Sequence, residues 1–224
     1  MKSGKDNKNR RCPLCGNRHD LSHVAGQDER LYLRCPVCEL VFVDKGDVLP
    51  SDDEISRYLE HNNGIEFPGY VKFLYRAIEP ALPFLEPGSR GLDFGCGHAP
   101  TLSKLLQNRG FECEDYDLYF KPDMPEGPFD FIFSTETFEH FTNPAVELKR
   151  IGSLLKPGGH LIIMTQLWHE ESNFTTMFYF RDVSHYVFYH PKTIKWIAEK
   201  FAYNIVYSDG KRIVILEKAG NGKW

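Results

Sequence analysis

From residue 88 onward, apolar residues alternate between short runs typical of buried strands and the spacing typical of helices. Strands are predicted at 90–94, 111–117, 129–134 and 160–166, and helices at 99–110, 143–155 and 191–201. Because strands and helices alternate in this way, we expect a parallel sheet with helices on both faces.

The chain changes pattern at its C-terminal end. Two alternating apolar runs, 203–208 and 211–218, flank the dipeptide Asp209-Gly210. This dipeptide is a strong signal for a two-residue hairpin turn. The last strand is therefore predicted to be antiparallel to its neighbour.

The pattern upstream of residue 88 is less regular. Short apolar runs at 31–35 and 40–44 predict two small strands. Residues 47–64 are polar and acidic, which predicts a linker with a short helix over 54–61, capped by Ser51 or Asp52. Residues 69–85 have helical spacing interrupted by Pro80 and Pro83, and we expect this segment to lie across a face of the following domain.

Composition narrows the class of protein. The chain has 224 residues, 42% hydrophobic content and a net charge of −4, as expected of an ordinary globular protein. It has no apolar run long enough to cross a membrane and no signal-peptide core near its start, so we expect a cytoplasmic protein without membrane contact. The acidic balance argues against an extensive nucleic-acid-binding surface. The basic residues within 1–11 predict either a solvated, disordered tail or an arm that contacts RNA.

The cysteines indicate a metal site. Four of the six form two C-P-x-C pairs, Cys12 with Cys15 and Cys35 with Cys38. Four thiolates at this spacing complete a tetrahedral shell, which predicts a zinc ribbon with a closed, structural zinc site. The other two, Cys96 and Cys113, are interpreted as small buried hydrophobic residues.

A glycine-rich loop follows the first strand of the large domain. The stretch 91–100 reads GLDFGCGHAP, and Gly95 and Gly97 would let the backbone approach a ligand closely. Pro100 stands where a dinucleotide fingerprint needs its last glycine, which disfavours NAD. Asp117 ends the next strand, where a carboxylate can accept hydrogen bonds from ribose hydroxyls.

These motifs together resemble a class I S-adenosylmethionine (AdoMet)-dependent methyltransferase. The resemblance covers residues 88–218 and rests on LDFGCG, DYD, FDFIFSTETFEHFTNP, LKPGGHLIIMT and the closing hairpin. It implies a Rossmann-like α/β fold with a final antiparallel strand inserted in the sheet. It also implies that Asp93 helps to position the loop, that Asp117 binds the ribose, and that 134–136 border the cofactor cleft. The implied cofactor-binding residues are Asp93, Phe94, Gly95, Cys96, Gly97, Asp117, Leu118, Ser134, Thr135 and Glu136.

Two departures from the family pattern change the expected architecture. Ala99 replaces the third glycine of the loop, so we expect AdoMet binding to be retained but weakened. Only residues 118–128, with three prolines, separate Asp117 from the next strand. A parallel crossover needs a dozen or more residues, so the third strand and its helix are predicted to be missing, leaving a trimmed sheet of six strands. Asp123 is then a candidate for contacting the adenine.

Several side chains are candidates for chemistry beyond cofactor binding. If the chain turns helical after Glu136, then Glu136, Glu139 and His140 share one face. This E-x-x-E-H pattern is similar to that of quinone-ring O-methyltransferases, some of which use a metal there. Binding a divalent ion, a base role for His140 and a purely structural role all stay open. The catalytic candidates are therefore His185, His140 and Glu139.

His185 is the preferred functional histidine, because the segment around it resembles one beside the active site of small bacterial methyltransferases. It lies in the aromatic-rich segment 167–190, where substrate caps are often inserted in this fold. Its aromatic residues either frame a flat or apolar substrate or cover the sheet. They are Trp168, Phe174, Phe178, Tyr179, Phe180, Tyr186 and Tyr189.

The resemblance therefore implies an AdoMet-dependent methyltransferase, and the aromatic segment and the acidic net charge favour a small-molecule acceptor. An rRNA or tRNA methyltransferase that uses the zinc ribbon to contact RNA is the alternative, and a non-catalytic AdoMet-binding protein is a third possibility. The predicted domains are a disordered basic tail (1–11), a zinc ribbon (12–46), a linker with helices (47–86) and the methyltransferase domain (87–220).

Overall fold

The computed structural model describes residues 10–60 and 62–220, in which two β-sheets carry the architecture. The strands are β1 (Ser22–Val24), β2 (Tyr32–Arg34), β3 (Val41–Val43), β4 (Arg90–Phe94), β5 (Glu112–Tyr116), β6 (Phe129–Thr135), β7 (Leu155–Met164), β8 (Val187–Phe188), β9 (Tyr203–Ser208) and β10 (Ile213–Lys218). The α-helices are α1 (Ser51–Leu59), α2 (Pro68–Ala81), α3 (Thr101–Gln107), α4 (Pro144–Leu154) and α5 (Pro191–Lys200). Within the same residues, no helix is both long and apolar enough to cross a membrane.

The larger sheet has six strands in the order β5-β4-β6-β7-β10-β9. Strands β5, β4, β6 and β7 are parallel, whereas β10 runs antiparallel to both β7 and β9. In the described part of the chain, β5 is an edge strand with nothing paired outside it. The predicted trimmed sheet with an antiparallel final strand is therefore confirmed.

Side chains of this sheet alternate between two hydrophobic cores. In β6, Phe131 and Phe133 pack with α2 and α3 on one face, and Ile132 packs on the other. Each of these side chains is fully buried, which stabilises the fold by about 2 kcal/mol per residue. The second face is covered by α4, α5 and the cysteine-bearing segment 12–46, called here the cysteine module.

The smaller sheet joins the cysteine module to the large domain. Its strand order is β1-β2-β3-β8, and the first three strands belong to the module. Strand β8 comes from the segment between β7 and α5, and Val41 and Phe42 of β3 pair with Phe188 and Val187 of β8. The two predicted strands of the module are present as β2 and β3, while β1 and β8 were not predicted. The module is therefore part of one continuous structure with the large domain.

The helices before the large sheet differ in detail from the prediction. Helix α1 begins at Ser51 with Pro50 at the N-cap position and no side-chain cap, so the predicted cap at Ser51 or Asp52 is wrong. Pro50 fits because a proline just before a helix sacrifices no helical hydrogen bond. Helix α2 tolerates Pro80 close to its C-terminus and packs across β7 and β10, as predicted.

The connection between β9 and β10 is longer than the predicted two-residue turn. It runs over 209–212, with Gly210 in the left-handed region at φ +69°. The Asp209 carboxylate accepts hydrogen bonds from the backbone N–H groups of Lys211, Arg212 and Ile213 at 2.7–2.9 Å. This carboxylate organises the wider loop, and these bonds help to lower the pKa of Asp209.

Asp209→Ala is expected to destabilise the fold by about 2 kcal/mol, because three backbone donors lose a charged acceptor at a partly solvated site. Asp209→Asn keeps one acceptor oxygen and should cost less than half as much. Equilibrium denaturation of both variants checks this expectation. Equal stability of the alanine variant and the wild type would contradict it.

Candidate active site

A cavity of about 660 Å³ lies at the carboxyl ends of β4, β5 and β6. This edge is where open α/β sheets bind ligands, because the loops that leave parallel strands converge there. Ten of the thirteen predicted cofactor-binding and catalytic residues line it: Phe94, Gly95, Cys96, Gly97, Asp117, Leu118, Thr135, Glu136, His140 and His185. The other three, Asp93, Ser134 and Glu139, are buried behind the cavity wall.

The glycine loop is shaped by two left-handed residues. Gly95 has φ +90°, and a Cβ there would come within 2.3 Å of the Thr137 side chain. Gly97 has φ +66°, and a Cβ there would meet nothing within 4 Å. The first glycine is therefore required by packing and the second leaves the cavity open beside the backbone.

Asp117 ties this loop to the next one. Its Oδ2 accepts a hydrogen bond from the Gly97 N–H at 2.9 Å. Its Oδ1 accepts from the N–H groups of Tyr119 and Phe120 at 2.9 and 3.1 Å. A carboxylate has about four lone-pair sites, so these three bonds leave room for a ligand hydroxyl.

Asp93 lies beneath the loop rather than in the cavity. Its carboxylate is nearly fully buried, and its Oδ1 has no hydrogen-bond partner among the described residues. Burial, reinforced by Asp115 and Asp117, raises the pKa of Asp93 well above its usual range. Burial therefore favours the protonated form of this carboxyl, because a charge without a hydrogen-bond partner is costly in the protein interior.

Glu136 does not share a face with Glu139 and His140, so the prediction of one helical face is wrong. Glu136 has φ +49°, which no helix allows, and the turn that follows is a short 3-10 helix over Phe138–His140. Its carboxylate accepts two hydrogen bonds from the Arg212 guanidinium, at 2.7 and 2.8 Å. Sequence patterns missed Arg212 because it lies in the loop between β9 and β10, distant in the chain from Glu136.

Glu139 is fully buried behind the cavity wall. Its carboxylate accepts hydrogen bonds from the Thr165 hydroxyl at 2.9 Å and from the Tyr179 hydroxyl. Burial raises the pKa of Glu139 to about 7, and the hydroxyl donors oppose that rise. Glu139 therefore anchors Tyr179, which does line the cavity.

The two cavity histidines are held in the same tautomer. Nδ1 of His140 lies 2.9 Å from the Ser184 carbonyl oxygen, and Nδ1 of His185 lies 2.6 Å from the Tyr179 carbonyl oxygen. A carbonyl oxygen only accepts, so each Nδ1 carries the proton and each neutral ring keeps its lone pair on Nε2. Burial lowers the pKa of both rings, that of His185 to about 3. Each ring therefore keeps an unprotonated Nε2 that could accept a hydrogen bond or bind a metal.

One group of side chains at the cavity could bind a metal ion. It consists of Glu139, His140 and His185, whose ligand atoms lie within 4.8 Å of one another. The ring centroids of the two histidines are 4.8 Å apart. A carboxylate and two imidazoles are ligand types that divalent transition metals accept. The group that could hold an ion therefore contains His185 in place of Glu136.

His185 makes the stability of the fold depend on pH. Burial and the neighbouring His140 lower its pKa from 6.5 to about 3, so between these values the unfolded chain binds a proton that the native chain does not. The stability held by neutral His185 is complete above pH 6.5 and is lost as the pH falls, by roughly 1.4 kcal/mol per unit.

His185→Asn, whose amide can still donate to Tyr179, removes this contribution. Between pH 6.5 and 4.5 the wild type should lose about 2 kcal/mol more stability than the variant. Denaturant titrations of both proteins at the two pH values measure the difference. Equal losses would show that His185 is not held neutral by the fold.

The four cysteines of the cysteine module converge at a second site. Sγ of Cys12 lies 3.5 Å from Sγ of Cys38, and Sγ of Cys15 lies 3.4 Å from Sγ of Cys35. Four sulfurs around a tetrahedral zinc ion lie roughly 3.8 Å apart, so the cluster needs little adjustment to hold one. Gly16 has φ +78° and closes the turn after the first pair, as the sequence indicated.

Helix α1 contributes a cavity wall that sequence analysis assigned to a linker. Glu54 is 8% exposed, lines the cavity and accepts a hydrogen bond from the Tyr119 hydroxyl at 2.6 Å. Tyr58, one turn later, lines the same wall and packs edge-on against His140. The i, i+4 spacing of Glu54 and Tyr58 indicates that they share one face of the helix. The spacing does not indicate which part of the fold that face covers.

The aromatic segment 167–190 divides between two roles. Phe178 and Tyr179 line the cavity. Trp168, Phe174, Phe180 and Tyr186 instead form a core with the cysteine module, and Tyr189 packs in the core of the second sheet face. Asp123 is exposed and does not line the cavity.

A six-stranded mixed sheet with a glycine loop and an acidic strand end at its carboxyl edge defines the α/β Rossmann-like fold of class I methyltransferases. The family model described as "Methyltransferase domain" matches residues 67–208. The chain therefore belongs to the methyltransferase-domain family.

Curated relatives match a shorter stretch. The ubiquinone biosynthesis O-methyltransferase of Xanthomonas campestris pv. campestris is 31% identical over 120 residues, covering 42% of this chain and 48% of the relative. That of Xanthomonas axonopodis pv. citri is 28% identical over 123 residues, covering 44% and 49%. The chain thus spans about half the length of the curated relatives it matches.

Solved structures share the fold at low identity. A chain from the complex of the Haloferax volcanii Trm112 methyltransferase activator with a methyltransferase has a TM-score of 0.50 at 13% identity, covering 68% of this chain and 93% of that one. Phosphoethanolamine N-methyltransferase 2 of Haemonchus contortus, solved with S-adenosyl-L-methionine, has a TM-score of 0.50 at 17% identity, covering 75% and 57%. These similarities concern the fold alone.

Proposed function

We propose that this chain is an AdoMet-dependent methyltransferase that methylates a small-molecule acceptor. The observation that carries the proposal is a single cavity lined by the glycine loop, Asp117 and the two neutral histidines. In this assignment Gly95 and Gly97 approach the cofactor and Asp117 binds its ribose. Thr135 and Glu136 border the cofactor, with Glu136 held in place by Arg212.

The bound cofactor would supply an electrophilic methyl group on a sulfonium. The protein then has to align an acceptor atom with that methyl and remove a proton from it where necessary. His140 and His185 are proposed as the catalytic residues, because each keeps an unprotonated Nε2 and lines the cavity. Glu139 is a positioning residue that holds Tyr179 against the cavity.

A small acceptor is favoured because α1 and the aromatic segment wall the cavity with Glu54, Tyr58, Phe178 and Tyr179. The relatives named for ubiquinone biosynthesis support the same preference. Structural zinc bound by Cys12, Cys15, Cys35 and Cys38 completes the proposal. We propose that residues 12–46 form the zinc ribbon, and that α2 is part of the methyltransferase domain rather than of a linker.

The proposal is tested by incubating the full chain with methyl-labelled AdoMet and either a panel of phenols, catechols and amines or total RNA. Label should enter a small molecule. His140→Asn and His185→Asn should each lower turnover by about 100-fold or more without weakening AdoMet binding. His169→Asn is the matched control, because His169 lies in the same segment and does not line the cavity. Label found in RNA, or full turnover by both cavity variants, would contradict the proposal.

A further inference from the structure

The cysteine module contacts the segment that carries His185. Beyond the β3–β8 pairing, the Val43 N–H donates to the Tyr186 carbonyl oxygen at 2.8 Å. The aromatic residues between β7 and β8 pack against Val24, Tyr32 and Val41 of the module. Residues next to His185 are therefore fixed from the module side.

Arg30 makes the contact nearest to His185. Its Nη1 donates to the carbonyl oxygen of Val183 at 2.6 Å and to that of His185 at 3.0 Å. Its Nε donates to Asp28 at 2.8 Å, and the Tyr32 hydroxyl donates to the same carboxylate at 3.0 Å. The Arg30 side chain is 11% exposed, so it is held in one orientation by these partners.

The same short segment is fixed on its other side by the turn that bears His140. The Tyr186 N–H donates to the Glu139 carbonyl oxygen at 2.8 Å, and the Ser184 carbonyl oxygen accepts from Nδ1 of His140. Residues 183–186 therefore lie between Arg30 and the Phe138–His140 turn. Displacing this backbone would remove the carbonyl that sets the tautomer of His140 and would move His185 itself.

We propose that the cysteine module is the positioning element of the active site and that Arg30 is its positioning residue. Arg30 fixes the backbone of 183–185 so that both imidazoles present an unprotonated Nε2 to the cavity. The consequence for turnover rests on the proposed function, but the geometric claim does not. The module thus acts on the part of the cavity that holds the two histidines. It leaves the glycine loop, which is proposed to bind the cofactor, unaffected.

The test compares Arg30→Gln with Arg18→Gln, which removes the same charge from an exposed position of the same module. Four quantities are measured on the full chain: bound zinc, AdoMet affinity, amide hydrogen exchange of 183–187, and the imidazole tautomers by nitrogen NMR. In Arg30→Gln, exchange should accelerate at least tenfold and His140 should populate both tautomers. Zinc content and AdoMet affinity should stay within twofold of the wild type, and Arg18→Gln should match the wild type throughout.

Arg30→Lys keeps a cationic donor near both carbonyls and should bring the exchange rate back to within threefold of the wild type. It also keeps the test usable if the glutamine variant fails to fold. Unchanged exchange and a single His140 tautomer in Arg30→Gln would overturn the proposal. Absence of AdoMet binding to the wild type would instead overturn the proposed function, because exchange and tautomers are measured without cofactor.

Discussion

Cys35→Ser is expected to lower the stability of the whole protein by roughly 4 kcal/mol, equivalent to a fall in Tm of about 10 °C. Cys35 is fully buried, and its sulfur lies 3.4 Å from that of Cys15. If the four cysteines bind zinc as proposed, losing one thiolate removes most of the zinc-binding free energy, which in so short a segment is also folding free energy. The large domain also loses stability, because β3 pairs with β8 and because side chains of the cysteine module complete one of its cores.

The matched control is Cys113→Ser, which places the same hydroxyl in the core of the other face. It should cost about 1–2 kcal/mol, the usual penalty for a buried hydroxyl, and leave zinc content unchanged. Thermal unfolding and elemental analysis of both variants distinguish the two roles. Equal destabilisation with equal zinc content would show that the four cysteines are only core residues.

Asp117→Asn is expected to weaken AdoMet binding by at least 100-fold. The Oδ2 atom of Asp117 accepts the Gly97 N–H, and an amide NH₂ there would face that donor instead. Turned the other way, the amide would face the N–H groups of Tyr119 and Phe120. Either orientation disturbs a loop that borders the cavity. It would also remove the charged acceptor proposed for the ribose hydroxyls, and a hydrogen bond to a charged group is worth about 1.5–3 kcal/mol.

Asp123→Asn serves as the control, because it makes the same chemical change at an exposed aspartate outside the cavity lining. Its AdoMet affinity should equal that of the wild type. The measurement is calorimetric titration of both variants. Wild-type affinity in Asp117→Asn would show that this carboxylate does not bind the cofactor.

The trimmed sheet changes how the adenine would be held. With β5 at the edge, the loop after Asp117 takes the place of a further strand, and Leu118, Tyr119 and Phe120 all line the cavity. Leu118 is 62% exposed, so its apolar side chain is accessible from the cavity. If AdoMet binds as proposed, we expect its adenine to contact these side chains rather than Asp123, which does not line the cavity.

Local signals were enough to predict the large sheet. The runs that form β4 and β6 are bounded by turn residues, and Gly95, Gly97 and Asp117 occur at fixed offsets from strand ends. The missing strand was predictable because 118–128 is too short for a crossover. Each of these inferences uses residues close together in the chain, where covalent geometry limits the outcomes.

Contacts distant in the chain were not predictable in this way. Strand β8 has only two residues, and its pairing with β3 joins segments far apart in sequence. Arg212 reaches Glu136 from a loop whose conformation is set by Asp209. Glu136 was expected to share a helical face with Glu139 and His140, but its positive φ excludes a helix at this position. Tertiary contacts override the local preference there.

Calorimetric titration of the full chain with AdoMet, and separately with NAD, tests the central claim most directly. The account predicts one AdoMet bound per chain, with a heat signal that disappears in Asp117→Asn and persists in Asp123→Asn, and no binding of NAD. Binding of NAD, or no binding of AdoMet to a wild-type protein shown to be folded, would contradict it.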